Sequence, residues 1–303
     1  MVDIVILGTI GLDDIETPFG KVKEALGGSG TYAAYASSFF AKPGIVSIAG
    51  EDLPKRHIDV LKKRNISMDG IEIKGRNFRW GGFYEFDMNE AKTLKTELNS
   101  LADFDPELPA DYKKAKYVFL GNVDPTIQLK VLGQIEKPEL IVMDTMNFWI
   151  SSRKEELIKA IKKVDVLVLN DSEARQLFGT VNLVNAADMA LDLGPKAVII
   201  KKGEHGALLF FREDGKRKHF SAPGYPLEVV KDPTGCGDSF GGGFIGHLAK
   251  TKNLSEANMR KAVIYGSVIA SFNAEDFSLE RQKKLTWGEI ERRFHELREI
   301  REF

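Results

Sequence analysis

One cysteine, Cys236, in 303 residues leaves no partner for an intramolecular disulfide and no cysteine-built metal centre. The five histidines (57, 205, 219, 247 and 295) are scattered with no i, i+4 pair, so no zinc site is expected and each reads as a surface or loop residue. No apolar run approaches the roughly 18 residues that a membrane span needs. An excess of one charge is missing too. The chain sets 43 Lys and Arg against 44 Asp and Glu, which leaves no electrostatic footprint for nucleic acid or anionic lipid. No basic cluster precedes the apolar residues at 1–11, so this segment reads as a buried first strand and a cytoplasmic enzyme is expected. The Asn-x-Ser triplets at Asn65, Asn170 and Asn253 then carry no glycosylation meaning. There is no Gly-x-x-x-x-Gly-Lys-Ser/Thr loop, internal repeat or low-complexity linker.

What is present is a globular composition, 43% apolar with 28 glycines, enough to bury a large core. Short β-branched runs alternate with amphipathic stretches, the pattern of an α/β fold with a mostly parallel sheet. Strands are expected at 2–7, 45–49, 117–120, 140–143, 166–169 and 197–201, with helices at 31–40, 55–64, 126–135, 154–163, 173–178 and 186–193. Ser152-x-x-Glu155 reads as a capping box, and 207–211 with 217–220 as a hairpin on the far edge of the sheet. Near the end, Thr286-x-x-Glu289 opens a docked helix carrying Trp287, Ile290, Phe294 and Leu297, with Arg292 and Arg293 on a solvated face. The whole of 1–303 is read as one domain with an insertion of extended segments over 70–101. That insertion is either a lid over a ligand cleft or a hairpin that finishes the sheet.

Two glycine patterns need weighing against a dinucleotide fold. Gly28-Ser-Gly30-x-x-Ala33 lies about twenty residues past the opening strand, and Gly241-Gly-Gly243-x-x-Gly246 falls inside a helix. A pyrophosphate turn must follow a strand directly, so a Rossmann cofactor is not expected.

The stretch richest in chemistry is Asp232-Pro-Thr-Gly-Cys-Gly-Asp238, placed before an apolar helix that starts near Asp238. The successive amides of Gly235, Cys236 and Gly237 at a helix start would form a positively polarised nest for a transferring phosphoryl group. Asp238 beside them is either a cap or a carboxylate that accepts the proton of an attacking hydroxyl. Glycines at 241–243, costly in a helix, favour function because they point to close backbone approach.

This segment resembles the carboxy-terminal signature of the ribokinase-like (PfkB) carbohydrate kinases. Four further landmarks are similar in order and spacing: Gly8-Thr-Ile-Gly-Leu-Asp13, Gly27-Gly-Ser-Gly30, Asn170-Asp-Ser-Glu173 and Lys202-Gly-Glu-His-Gly206. The resemblance implies a three-layer α/β/α fold with a mostly parallel sheet and a small β lid. It implies Asp238 as general base and the amides of Gly235, Cys236 and Gly237 as the anion hole. Asp13, Gly27 and Gly28 would contact the acceptor, with Tyr32 standing where the family commonly has asparagine. Asn170 and Glu173 would organise Mg²⁺ through water, Lys202, Gly203 and Gly206 would face the ATP, and Asp232 with Thr234 would hold a monovalent cation such as potassium. Gly11, where ribokinases carry asparagine, also departs, so ribose specificity does not carry over. The function implied is transfer of the γ-phosphoryl group of ATP to a hydroxymethyl of a sugar or polyol. A nucleoside kinase is the alternative, favoured if the aromatic lid residues Phe78, Trp80, Phe83, Tyr84 and Phe86 stack on a base. A catalytically silent metabolite-binding protein is the alternative of another class. Pairing of exposed lid strands would give a homodimer.

Overall fold

The apolar runs become strands buried on both faces, as their lack of polar alternation requires. The structure, a computed structural model, describes residues 1–301. In chain order its strands are β1 (Ile4–Leu7), β2 (Gly11–Thr17), β3 (Gly20–Gly27), β4 (Pro43–Ala49), β5 (Ser67–Ile73), β6 (Phe78–Tyr84) and β7 (Ala91–Glu97). There follow β8 (Tyr117–Leu120), β9 (Leu140–Met143), β10 (Val166–Asn170), β11 (Ala197–Lys201), β12 (Ala207–Glu213) and β13 (Lys216–Ala222). The helices are α1 (Ser29–Ser37), α2 (Lys55–Lys63), α3 (Pro125–Leu132), α4 (Asn147–Ser152), α5 (Lys154–Ile161) and α6 (Asp171–Phe178). The last four are α7 (Leu183–Asp192), α8 (Cys236–Thr251), α9 (Glu256–Ala274) and α10 (Trp287–Glu299).

Among the described residues the main sheet has nine strands in the order β13-β12-β11-β10-β9-β8-β1-β4-β5. Its pairs are parallel except at the β11-β12-β13 edge, where the expected hairpin lies. Side chains alternate between two cores, as a period of two dictates. Ile4 and Ile6 pack with α1, α8 and α9, whereas Val5 and Leu7 face the layer of α5, α6 and α7. The result is the three-layer α/β/α arrangement that the resemblance implies.

The lid differs from the expected insertion. Residues 70–73 lie in β5, at the edge of the main sheet, and the second sheet runs β3-β2-β6-β7. Half of it therefore comes from β2 and β3, ahead of the first helix. Of the buried positions of β2, Gly11, Leu12, Asp13, Ile15 and Thr17, only Leu12 and Ile15 are large and apolar, and they do not alternate, so hydropathy gave no strand signal there. Because β3 ends at Gly27, the Gly28-x-Gly30 turn does follow a strand directly, though a lid strand and not the start of a βαβ unit.

Several local readings also change. Ser152 does not cap α5; its hydroxyl donates to the Phe148 carbonyl within α4. Thr286 and Glu289 do form the reciprocal box that opens α10. Arg293 is not solvated but lies on the Phe272 ring, with its guanidinium 2.6 Å from Glu275. His247, read as a surface residue, is buried in α8 and stacked on Tyr265.

The glycines of α8 are explained by packing. A Cβ at Gly242 would come within 2.2 Å of the Ala33 carbonyl of α1, and one at Gly243 within 3.1 Å of Gly266 in α9. A Cβ at Gly241 would strike the Phe119 ring at 2.5 Å. These residues let α8 sink between its neighbours; they do not bring backbone to a ligand. That tight seat fixes where the amino terminus of α8 points.

Candidate active site

Parallel strands end at one edge, and the loops that leave them collect the polar residues there. Asp144 follows β9, Asn170 ends β10 and Lys201 ends β11, with Asn170 and Lys201 in register. The amino terminus of α8 meets the same edge. Gly235 is the residue before its first turn, in the left-handed region at φ 76°, and Cys236 and Gly237 are already helical. The helix thus begins two residues earlier than expected, with Asp238 inside its first turn. The loop is pinned from α9, where buried Asn273 donates to the Thr234 carbonyl at 2.8 Å.

Lys201 and Asp144 are the residues that sequence reasoning missed. The Lys201 ammonium lies 2.7 Å from Asp144 Oδ2, with a side-chain exposure of 16%. It also stands 3.0 Å from where a Cβ on Gly237 would be, hard against the first turn of α8. Burial opposes its charge, but Asp144 and then Glu173 outweigh burial and raise its pKa. A charged residue closing an apolar strand run was the available signal, in Leu140–Met143 followed by Asp144 and in Ala197–Lys201 itself.

Burial, then the charge of Asp144, pushes Asp238 up to about 7, with Lys201 acting in the opposite sense. That range suits a carboxylate that must take up a proton near neutral pH. Asn170 and Glu173 form a reciprocal capping box for α6: the Asn170 side chain accepts from the Glu173 amide at 2.7 Å, and Glu173 Oε2 accepts from the Asn170 amide at 2.6 Å. Asn-x-x-Glu is itself legible as such a box. Burial pushes Glu173 up to about 7, against the pull of Lys201. The Cys236 thiol is pushed up to about 12 by burial, and its amide, expected in the anion hole, instead donates to the Pro233 carbonyl at 3.1 Å.

On the lid side, Asp13 is 4% exposed and its Oδ1 has no hydrogen-bond partner among the described residues, whereas Asp14 faces solvent. A Cβ on Gly27 would come within 1.8 Å of Asp13 Oδ2, so only glycine leaves room for this carboxylate. Gly28, at φ 95°, turns the chain into α1, and Thr9 and Ser29 exchange amide-to-hydroxyl bonds of 3.1 and 3.0 Å across that turn. The Tyr32 ring lies under Gly235 and its buried hydroxyl is likewise unpartnered. Asp232, 0% exposed, accepts from the amides of Thr234 and Ser278, while Thr234 Oγ1 donates to the lid hydroxyl of Tyr84 at 3.2 Å.

The nucleotide-side turn is less telling. Gly206, at φ 83°, is needed because a Cβ would meet the Ala222 carbonyl at 2.1 Å, and the Lys202 amide closes the turn onto Gly206. Gly203 faces the lid tip, with Asn89 Oδ1 4.0 Å from its would-be Cβ. Arg79 is held by Glu24 and Asp52 on the outer face, not in the cleft.

Burial, then the charges of Asp232, Asp238 and Asp14, raises Asp13 to about 8. A carboxylate raised this way adds stability below its unfolded value near 4 and loses it as pH rises toward 8. Asp13→Asn, which mimics the protonated acid, is therefore expected to raise the Tm of the ligand-free protein at pH 8 by at least about 3 °C, and to change it little at pH 4. Scanning calorimetry at both pH values checks this; equal shifts at the two would reject it.

These features define a phosphotransferase. Residues 7–282 match the pfkB family of carbohydrate kinases, and the chain belongs to that family, whose members phosphorylate hydroxyl acceptors. It is 27% identical over 261 residues to a cytidine kinase of Thermococcus kodakarensis, covering 84% of this chain and 92% of that one. The fold is similar to the nucleoside kinase of Methanocaldococcus jannaschii (TM-score 0.77, 20% identity, 97% and 98% of the two chains). It is also similar to the nucleoside kinase of Burkholderia thailandensis in complex with inosine (TM-score 0.74, 19% identity, 97% of each chain).

Proposed function

We propose that this kinase transfers the γ-phosphoryl group of ATP to the hydroxymethyl group of a nucleoside. The observation that carries the choice of a nucleoside over a free sugar is the position of Trp80. In β6, Trp80, Gly82 and Tyr84 share a face, and Tyr84 bonds to Thr234, so this face looks into the cleft. Trp80 pairs in parallel register with Asp13 and covers Gly82, where a Cβ would meet the indole at 2.5 Å. Its Nε1 donates to Thr93, which holds the half-buried ring in place. A carboxylate for ribose hydroxyls beside an aromatic face for a base is the pairing that a nucleoside needs. The cytidine kinase of T. kodakarensis supports the same reading.

In the step proposed, the acceptor hydroxyl oxygen attacks the γ-phosphorus and its proton passes to the Asp238 carboxylate. The bond between that phosphorus and the β,γ-bridging oxygen breaks, and its electron pair leaves with ADP. The amides of Gly235 and Gly237 receive the charge in flight, the Cys236 amide being held by the Pro233 carbonyl. Asp144, Glu173 and Asp238 surround a single ammonium, and a hydrated divalent cation fits that excess of negative charge. Asn170 and Glu173 would hold magnesium through water, which supplies charge neutralisation at the phosphate oxygens. Asp232 has no ammonium or guanidinium partner among the described residues, so a monovalent cation such as potassium fits beside it and Thr234.

A panel of nucleosides and free sugars, with ADP release as readout, tests the acceptor. Nucleosides are expected to turn over and free ribose not. Trp80→Ala should raise KM for the nucleoside about tenfold or more with a smaller change in kcat. Turnover of sugars with no response to nucleosides would overturn the proposal.

A further inference from the structure

The start of a helix carries a partial positive charge, which by itself disfavours an ammonium there. Yet the Lys201 ammonium sits 3.0 Å from the would-be Cβ of Gly237, in the first turn of α8. It has three N–H donors, and Asp144 takes one of them at 2.7 Å as the only hydrogen-bond partner among the described residues. Glu173 and Asp238 approach it closely enough to act on its charge. Two donors of Lys201 thus stay free beside the first turn of α8, where the Cys236 amide already donates to the Pro233 carbonyl at 3.1 Å.

We infer that Lys201 is a catalytic residue that binds the γ-phosphoryl oxygens opposite the α8 amides, and that Asp144 positions its ammonium. A transferring phosphoryl group supplies the acceptors that the free donors of Lys201 lack. Its negative oxygens accept from Lys201 on one side and from the Gly235 and Gly237 amides on the other. Asp144 orients the ammonium without filling the space, because it approaches from the end of β9. The attacking hydroxyl and Asp238 then share the remaining side. The inference rests on the reading that phosphoryl transfer takes place at the start of α8.

The test compares an ATP analogue that keeps the γ-phosphoryl, AMP-PNP, with ADP, which lacks it. Both are titrated calorimetrically with magnesium present. Lys201→Met is expected to weaken AMP-PNP by at least about tenfold and ADP by less than about threefold, and Lys201→Arg to recover most of the loss. Because Lys201→Met leaves Asp144 unpaired and could unfold the edge, the double variant Lys201→Met with Asp144→Asn removes both charges together. It should fold like the wild type and still bind AMP-PNP poorly. Equal losses for the two nucleotides, or none for either, would overturn the role of Lys201. Failure of the underlying site looks different: Gly235→Ala would then leave turnover and AMP-PNP affinity unchanged.

Discussion

Asp238→Asn is expected to lower kcat by at least about 10²-fold, with Kd for ATP within about threefold of the wild type. Asparagine keeps the size of the side chain and its place in the first turn of α8, so the helix and its amides stay where they are. What it loses is the ability to take the acceptor's proton. The pH profile gives a second, independent reading. With Asp238 pushed up to about 7 by burial and by Asp144, the carboxylate is protonated and inactive below that value. The rate of the wild type should therefore rise with pH through about 7, and the residual rate of the variant should lack that limb. Unchanged phosphoryl transfer in Asp238→Asn would remove Asp238 as the base.

How much of this was legible depended on whether the signal was local. Strand runs such as Val166–Asn170 were plain because a strand buried on both faces has to be apolar throughout. The turn at 232–238 was plain because a left-handed residue, a pinned carboxylate and a helix start all sit within seven positions. Asp13 could be told from Asp14 by spacing alone, and it is the buried one of the pair. By contrast, Lys201 and Asp144 are 57 positions apart and meet only because β9, β10 and β11 lie side by side and run in parallel to the same edge. Each looks ordinary alone. The lid was half visible for a related reason. β2 turns a carboxylate inward, so the residue that marks the cleft is the one that hides the strand. The glycines of α8 misled in the other direction, since close approach was read correctly but its object was α1 and α9 and not a ligand.

Gly235→Ala should damage both stability and turnover. At φ 76° an alanine pays roughly 1 kcal/mol for the left-handed region. Its Cβ would also lie 2.3 Å from the Tyr32 ring, and Tyr32 is 1% exposed and cannot retreat. Overpacking of that kind costs about 1–3 kcal/mol. The two costs together predict a drop in Tm of about 3–6 °C, readable by calorimetry. Relief comes only by moving the turn, and the turn carries the amides of Gly235 and Gly237. A displacement on the order of 1 Å there is expected to lower kcat by about 10²-fold or more in the molecules that remain folded. Gly237→Ala separates the two effects. Gly237 has ordinary helical backbone, and its Cβ would press, at 3.0 Å, only on the Lys201 ammonium, so this variant should keep the Tm of the wild type while disturbing the Lys201–Asp144 pair. If Gly235→Ala lowered Tm but left kcat per folded molecule unchanged, the amides at the start of α8 would not be where the phosphoryl group is held.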